Sequence, residues 1–297
     1  MTSITAVILA AGQGTRMKSK LPKGLHHLAG QPMLEYLLDA AREVTGAPPV
    51  LVVGHGARAV LDTLGDRAAY VTQAEQLGTG HAVRQAETTL KGKCDYVLVI
   101  NGDLPLLQAD SLRAIVDAQL RNSGPLTLLS VISDRLNDFG RVVRSPDGAV
   151  HAVVEETQLA PEHQHIAEFN VGAYCFKADW LWDALARLPL SPKGEYYLTD
   201  TVHLAVSDGR RVAAVAIDDD SQALGVNTRA QLAQVEAELR RRTNEKWLTE
   251  GVTLLDPAST YIAATVKIGR DTVILPNTHL WGNTTVGEDC VLGPNTI

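Results

Sequence analysis

Residues 9–23, LAAGQGTRMKSKLPK, concentrate small residues and cations in one short stretch. Ala10, Ala11, Gly12 and Gly14 let backbone amides come close to a phosphate, and Arg16 and Lys23 add positive side chains beside them. The spacing is not a dinucleotide fingerprint, because Met17 stands where the third glycine belongs. It is not a P-loop either, because no register supplies GxxxxGK followed by Ser or Thr. Phosphate binding is the favoured chemistry, with a tight turn carrying a solvated Arg and Lys as the alternative. A second group, Asn101, Gly102 and Asp103, follows the apolar run 96–100. Hard divalent cations prefer oxygen ligands and bridge phosphate oxygens, so Asp103 reads as a metal position; a turn aspartate before Pro105 is the alternative.

Such residues need a scaffold that brings them to one edge. The run 4–9 (ITAVIL) is continuously apolar, which suits a strand of a parallel sheet covered on both faces, so the small-residue loop leaves a strand at its carboxyl end. Pro32 can open a helix in which Met33, Leu34, Leu37, Leu38, Ala41 and Val44 share one face. Strands are expected at 50–53, 96–100, 126–132 and 212–217, and a helix at 110–121, which makes the first half a series of β-α units. QAEQLGTG (73–80) is a polar, glycine-containing loop before another helix. FGR (139–141), VVEE (153–156) and FNVGAY (169–174) read as antiparallel additions that fold over a ligand at the sheet's edge. GEYYLTD (194–200) offers two aromatics and short oxygen-bearing side chains, and in GVNT (225–228) Asn227 precedes a helix that Thr228 can cap.

The chain of 297 residues is 45% hydrophobic and 21% charged, an ordinary globular composition with room for more than one domain. A formal charge of -7 argues against general nucleic-acid binding while leaving room for a local basic pocket. No basic flank or long apolar run marks a signal peptide or a membrane span, so a cytoplasmic location is expected. Cys94, Cys175 and Cys290 fit buried reduced thiols better than a disulfide framework or a zinc site. His163 and His165 read as solvated loop histidines, and residues 218–220 as a solvated acidic loop.

Behind this half a helix over 229–250 carries Leu232, Val235 and Leu239 on one stripe and Arg240, Arg241 and Arg242, expected to be solvated, on another. It reads as a connector. Then Ile262, Ile268, Ile274, Leu280, Val286 and Leu292 recur every six residues, the mark of a hexapeptide solenoid. Six hexads make roughly two coils of a parallel β-helix. Because the chain stops at Ile297 within a repeat, the expectation is that it belongs to a longer protein or that another chain covers the last coil.

LAAGQGTRM with LPK, QAEQLGTGHA, the Gly102–Asp103 pair, FGR, VVEE, Asn170, GEYYLTD and GVNTR stand in the order found in N-acetylglucosamine-1-phosphate uridylyltransferases. From Ile4 to about Gly251 the chain resembles the amino-terminal part of the bifunctional bacterial uridylyltransferase/acetyltransferase. The resemblance implies a Rossmann-like, mostly parallel α/β nucleotidyltransferase domain over 1–228, a linker helix over 229–250 and the start of a left-handed β-helix over 251–297. It also implies a reaction in which a sugar 1-phosphate attacks the α-phosphorus of UTP with Mg2+ present, giving a UDP-sugar and pyrophosphate for cell-wall biogenesis. By that resemblance Leu9, Ala11 and Gly12 contact the nucleotide, Gln73, Gly78 and Thr79 surround the uracil, and Arg16 meets the leaving phosphates. Lys23 bridges α-phosphate and sugar phosphate, Asp103 and Asn227 hold the metal, Gly140, Glu155 and Asn170 bond the sugar, and Tyr197 and Thr199 lie near its pocket.

Three departures from the family pattern lie on the sugar side: Asn101 where Tyr is common before Gly-Asp, Val171 within Asn-Val-Gly, and Thr157 after the acidic pair. They keep glucose 1-phosphate or another hexose 1-phosphate, with UTP or dTTP, as the alternative. A non-catalytic nucleotide-sugar sensor is the other alternative, against which stands the presence of Arg16, Lys23, Asp103 and Asn227 together. Acetyl transfer belongs to the distal β-helix of the bifunctional family, so it is not expected of this chain. A β-helix of this kind implies a homo-oligomer, a trimer when complete.

Overall fold

The computed structural model describes residues 2–136 and 139–297 of the chain, apart from the side chain of Thr157. One of the three departures therefore lies outside the described residues. The remainder contains a nine-stranded sheet: β1 (Ile4–Ala10), β2 (Val50–Val53), β3 (Ala69–Thr72), β4 (Tyr96–Asn101), β5 (Leu126–Ile132), β6 (Arg141–Arg144), β7 (Val150–Val154), β8 (Glu168–Lys177) and β9 (Val212–Ile217). The main run is ordered β9-β5-β8-β4-β1-β2-β3, with β6 attached to β8 and β7 to β6. Strands β1 to β4 are mutually parallel where they pair, as is β9 on β5, while β8 runs antiparallel to both its main neighbours.

Helices cover both faces because the central strands are apolar on both. Leu34, Leu37, Leu38 and Ala41 of the helix Met33–Thr45 pack one face beside Leu112, Ile115 and Val116 of Ala109–Arg121. Ala82 and Val83, Leu181, Trp182 and Leu185, and Val202 and Ala205 come from three helices on the other. Pro32 stands just before the first of these helices, whose first residue is Met33. The helices Ala57–Leu64 and Ala178–Ala186 and the strand Ala69–Thr72 add to the expected elements.

FNVGAY occupies a different place from the one its polar end suggests. It lies inside β8, between β4 and β5, with eight successive positions buried, so it is a central strand rather than an edge addition. Its continuation, Cys175 and Phe176, extends an apolar run that demands cover on both sides. FGR and VVEE do pair beside it: Phe169 is in register with Arg141, and Arg141 with Val154.

The helix Arg229–Thr249 begins with a capping box between Thr228 and Gln231. Of its apolar stripe, Val235 is buried with Met17, Leu28 and Met33 in one cluster, and the half-buried Leu232 and Leu239 pack against it. Arg241 is exposed, as expected, but all three arginines are engaged by neighbours. Arg241 pairs with Glu238 and Glu245, Arg242 with Glu238 and Asp219, and Arg240 lies 4.5 Å from the Tyr261 ring centroid. The acidic run is likewise engaged, since Asp220 accepts from Arg135 and Ser133. The pairs with Glu238 and Glu245 are helix neighbours three or four residues apart, whereas Arg242 with Asp219 and Arg135 with Asp220 join separate elements, a pairing that linear sequence does not display.

Beyond this helix, two-residue strands stack in parallel: Tyr261–Ile262 on His279–Leu280, Lys267–Ile268 on Thr285–Val286, and Val273–Ile274 on Val291–Leu292. Ile262, Ile274 and Leu280 are buried with Trp247 from the helix, while Ile268, Val286 and Leu292 pack against them. All three cysteines are free; Cys94 and Cys175 are buried and Cys290 is partly exposed, in contrast to the expectation for it. Among the described residues, no helix is long and apolar enough to cross a membrane.

Candidate active site

The carboxyl ends of β1 and β4 lie side by side, with Leu9 in register with Asn101. Gly102 donates its N–H to the Leu9 carbonyl at 2.9 Å, and a Cβ there would sit 2.5 Å from that oxygen. Glycine is therefore what brings Asp103 beside the small-residue loop. In that loop Gly14 has φ +61, and a Cβ on Gly12 would meet nothing within 4 Å, so the backbone there faces open space. Lys23 Nζ donates to Asp103 Oδ2 and to Asn227 Oδ1, each at 3.0 Å, joining three segments far apart in sequence. A backbone bond ties two of them directly, Val226 N–H to the Asp103 carbonyl at 2.9 Å.

Two adjoining cavities meet at this point, about 310 and 740 Å³ in volume, sharing Thr79, Asn101, Asp103 and Tyr197. Leu9, Ala11, Gly12, Lys23, Gln73 and Gly78 line the smaller; Arg16, Gly140, Glu155, Asn170, Thr199 and Asn227 line the larger. Every residue expected at the site thus stands on one of the two walls. Arg16 lines the larger cavity only, whereas Gly12 and Gln73 line the smaller.

The smaller wall is locked by backbone. Gln73, 3% exposed, donates to the Gly78 carbonyl at 3.1 Å and lies 3.0 Å from His81 Nδ1. The Gly80 N–H reaches the Tyr196 carbonyl, and Thr79 Oγ1 accepts from the Leu198 N–H. Gly78 has φ +95, and a Cβ on it would lie 2.6 Å from the Tyr196 oxygen, so QLGTG and EYYLT close on each other only with glycine there.

The larger wall is a set of side-chain pairs. Thr199 Oγ1 donates to Glu155 Oε1 at 2.8 Å, and burial, opposed by that bond, raises the Glu155 carboxyl above its usual range. Asn170 Nδ2 donates to the Tyr174 hydroxyl at 2.6 Å, while the Asn170 N–H bonds the Gly140 carbonyl. Burial first, and then Glu155, keep the Tyr174 phenol protonated. Pairing of β8 on β5 shifts between Asn170 and Tyr174, and at Gly172, φ +89, a Cβ would lie 2.3 Å from Asn101 Nδ2. The side chain of Asn101 is packed over that glycine.

Sequence reasoning did not single out Tyr174, His55, Gln76 or Gln231, all of which line the cavities. Tyr174 had a signal, four residues after Asn170 on the same face of a strand. His55, in the turn after β2, and Gln76 had none beyond their place in polar loops. His163 and His165 line neither cavity.

Asp103 and Asn227 aim two oxygens, with one negative charge, at a single cationic point. That set fits an ion such as magnesium, which keeps several waters and completes its shell with substrate phosphate. Among the described residues no cluster of three or more His, Cys, Asp or Glu gathers, so a closed protein cage is not what these residues offer. Lys23 now spends a hydrogen bond on each oxygen, and so must turn away for both to serve a metal.

The MobA-like NTP transferase domain model matches residues 6–195, and the bacterial transferase hexapeptide model, of six repeats, matches 265–297. "Bifunctional protein GlmU" of an Exiguobacterium strain is 48% identical over 98% of this chain, that of Exiguobacterium sibiricum 44% over 98%, and that of Halalkalibacterium halodurans 43% over 100%. The chain spans 65% of the length of each of these relatives. A Bacillus anthracis structure, provisionally assigned as a glucose-1-phosphate thymidylyltransferase and bound to sucrose, superposes with a TM-score of 0.64 at 18% identity, covering 80% of this chain and 95% of its own. That likeness shows a shared fold.

Proposed function

Because this chain belongs to the MobA-like NTP transferase family and carries hexapeptide repeats behind that domain, we propose that it joins UTP and N-acetylglucosamine 1-phosphate to make UDP-N-acetylglucosamine and pyrophosphate. The observation that carries the reading is the meeting of Lys23, Asp103 and Asn227 where the two cavities adjoin. The resemblance of LAAGQGTRM, QAEQLGTGHA and GVNTR to N-acetylglucosamine-1-phosphate uridylyltransferases supports the choice of nucleotide and sugar.

In this reading the smaller cavity takes the nucleoside. Ala11 and Gly12 give backbone room to the phosphates, and the buried Gln73 with Gly78 and Thr79 presents amide and hydroxyl groups to the uracil. The larger cavity takes the sugar, with Gly140, Glu155, Asn170 and Thr199 around it and Tyr197 at the boundary. The attacking phosphate oxygen is already an anion, so no protein nucleophile or general base is required; the residues act by holding two anions in line and offsetting their charge. Lys23 turns from Asp103 and Asn227 to the phosphates between the cavities, and Arg16 meets the departing pyrophosphate. Mg2+ held by Asp103 and Asn227 would neutralise charge on the transferring phosphate. The domain division at 228 and 250, the trimer through the β-helix and a cytoplasmic location belong to the same proposal.

A hexose 1-phosphate without the N-acetyl group is the second reading, favoured by one observation: Asn101 lies over Gly172 at the junction of the cavities and leaves an amide beside the sugar. Pyrophosphate release with UTP against a panel of sugar 1-phosphates separates the two. We expect N-acetylglucosamine 1-phosphate to have the highest kcat/KM; a higher value for glucose 1-phosphate transfers the assignment to it, and no release with any sugar overturns catalysis.

A further inference from the structure

We infer that Gln231 is a positioning residue for the metal ligand Asn227, an inference that rests on the proposed metal role of Asp103 and Asn227. Gln231 lies in the first turn of the helix Arg229–Thr249 and has no role among the substrate contacts proposed above. Its Oε1 accepts from the Asn227 N–H at 2.9 Å and from the Thr228 N–H at 3.0 Å. A capping box needs only the second of these. The first reaches one residue further back and fixes the backbone of the residue whose Oδ1 points at Lys23. Together with the bond from Val226 N–H to the Asp103 carbonyl, it holds Asn227 from both sides in register with Asp103.

The choice of an amide has its own logic. Gln231 also lines the larger cavity, where phosphate-bearing ligands are proposed to sit. A glutamate in its place offers the same acceptor to the two N–H groups but brings a negative charge to that wall. Glutamine fixes the loop without repelling the anion.

The test is Mn2+ affinity, followed by electron paramagnetic resonance, of the full chain saturated with α,β-methylene-UTP, so that no turnover contributes. Gln231→Ala should weaken Mn2+ binding about tenfold, in the range seen when partners behind a metal ligand are removed. Gln231→Glu, which keeps the acceptor, should restore affinity to within about threefold of the parent. Thr228→Ala removes the helix cap but not the bond to the Asn227 N–H, so it should lower Tm while leaving Mn2+ affinity within about twofold. Equal loss in Thr228→Ala and Gln231→Ala would reduce Gln231 to a helix cap and overturn the inference, as would unchanged affinity in Gln231→Ala. Asp103→Asn separates this from the underlying reading: if Asp103→Asn leaves Mn2+ binding intact the metal assignment itself fails, whereas its loss beside an unaffected Gln231→Ala sinks only the role given to Gln231.

Discussion

Around Gly12, Gly78 and Gly102 the cleft presents backbone, held by close approaches that a single Cβ at Gly78 or Gly102 would break, whereas around Glu155, Asn170 and Thr199 it presents side chains already bonded to partners of the same wall. The first wall is set by main-chain geometry at the ends of parallel strands and admits few substitutions. The second can be rewritten one side chain at a time with the sheet left intact. Of the departures from the family pattern that the structure describes, Val171 lines the larger cavity and Asn101 stands where the two cavities meet.

Asp103 stands on the boundary, so its loss should erase the distinction. Asp103→Asn removes the only charge in the proposed metal set while keeping its shape, and we expect kcat to fall roughly a hundredfold or more for every sugar phosphate. Pyrophosphate release at the parental rate would disconnect the two halves.

Next in size is a backbone change confined to the nucleotide wall. Gly78→Ala places a methyl 2.6 Å from the Tyr196 carbonyl and strains a φ of +95, a cost of roughly 1–3 kcal/mol that must be met by opening the loops. Thermal unfolding should fall by several degrees and KM for UTP should rise at least about tenfold, with KM for the sugar phosphate less affected. Equal rises in both would show that the walls are not independent.

What could be read from the chain beforehand follows the same division. The loop at 9–23, the turn QAEQLGTG and Asp103 announce themselves because strand ends, glycine and phosphate chemistry leave local signatures. The hexads did so through their period, and the helix start through Thr228 as its cap. The central place of β8 was hidden because Asn170 and Gly172 interrupt its apolar pattern at the bulge that shapes the sugar wall. The second bond of Gln231 was hidden for another reason: it reaches back past the helix cap to the Asn227 N–H, and a side-chain bond to a loop of that kind has no linear signature. The pairing of Arg242 with Asp219 was invisible in the same way.

The smallest effect we expect isolates the sugar wall by pH. Glu155 on the sugar wall is raised above the usual carboxylate value by burial. Its proton is held more tightly in the folded protein than in the unfolded one. The stability it contributes is therefore present below the unfolded chain's ordinary glutamate value of 4.5 and lost as pH rises through the raised folded value. Glu155→Gln, which carries no charge to bury, should gain stability over the parent in urea titrations at pH 8 and show no gain at pH 4. The same carboxylate, once ionised, is the acceptor proposed for a sugar hydroxyl, so the variant should raise KM for the sugar phosphate about tenfold at pH 8 with KM for UTP unchanged. As pH falls through the raised value the parent should lose its advantage and converge on the variant. Because the substrate's own phosphate titrates equally in both, the ratio of their KM values reports the carboxyl alone; a ratio that stays flat with pH would remove Glu155 from the sugar wall.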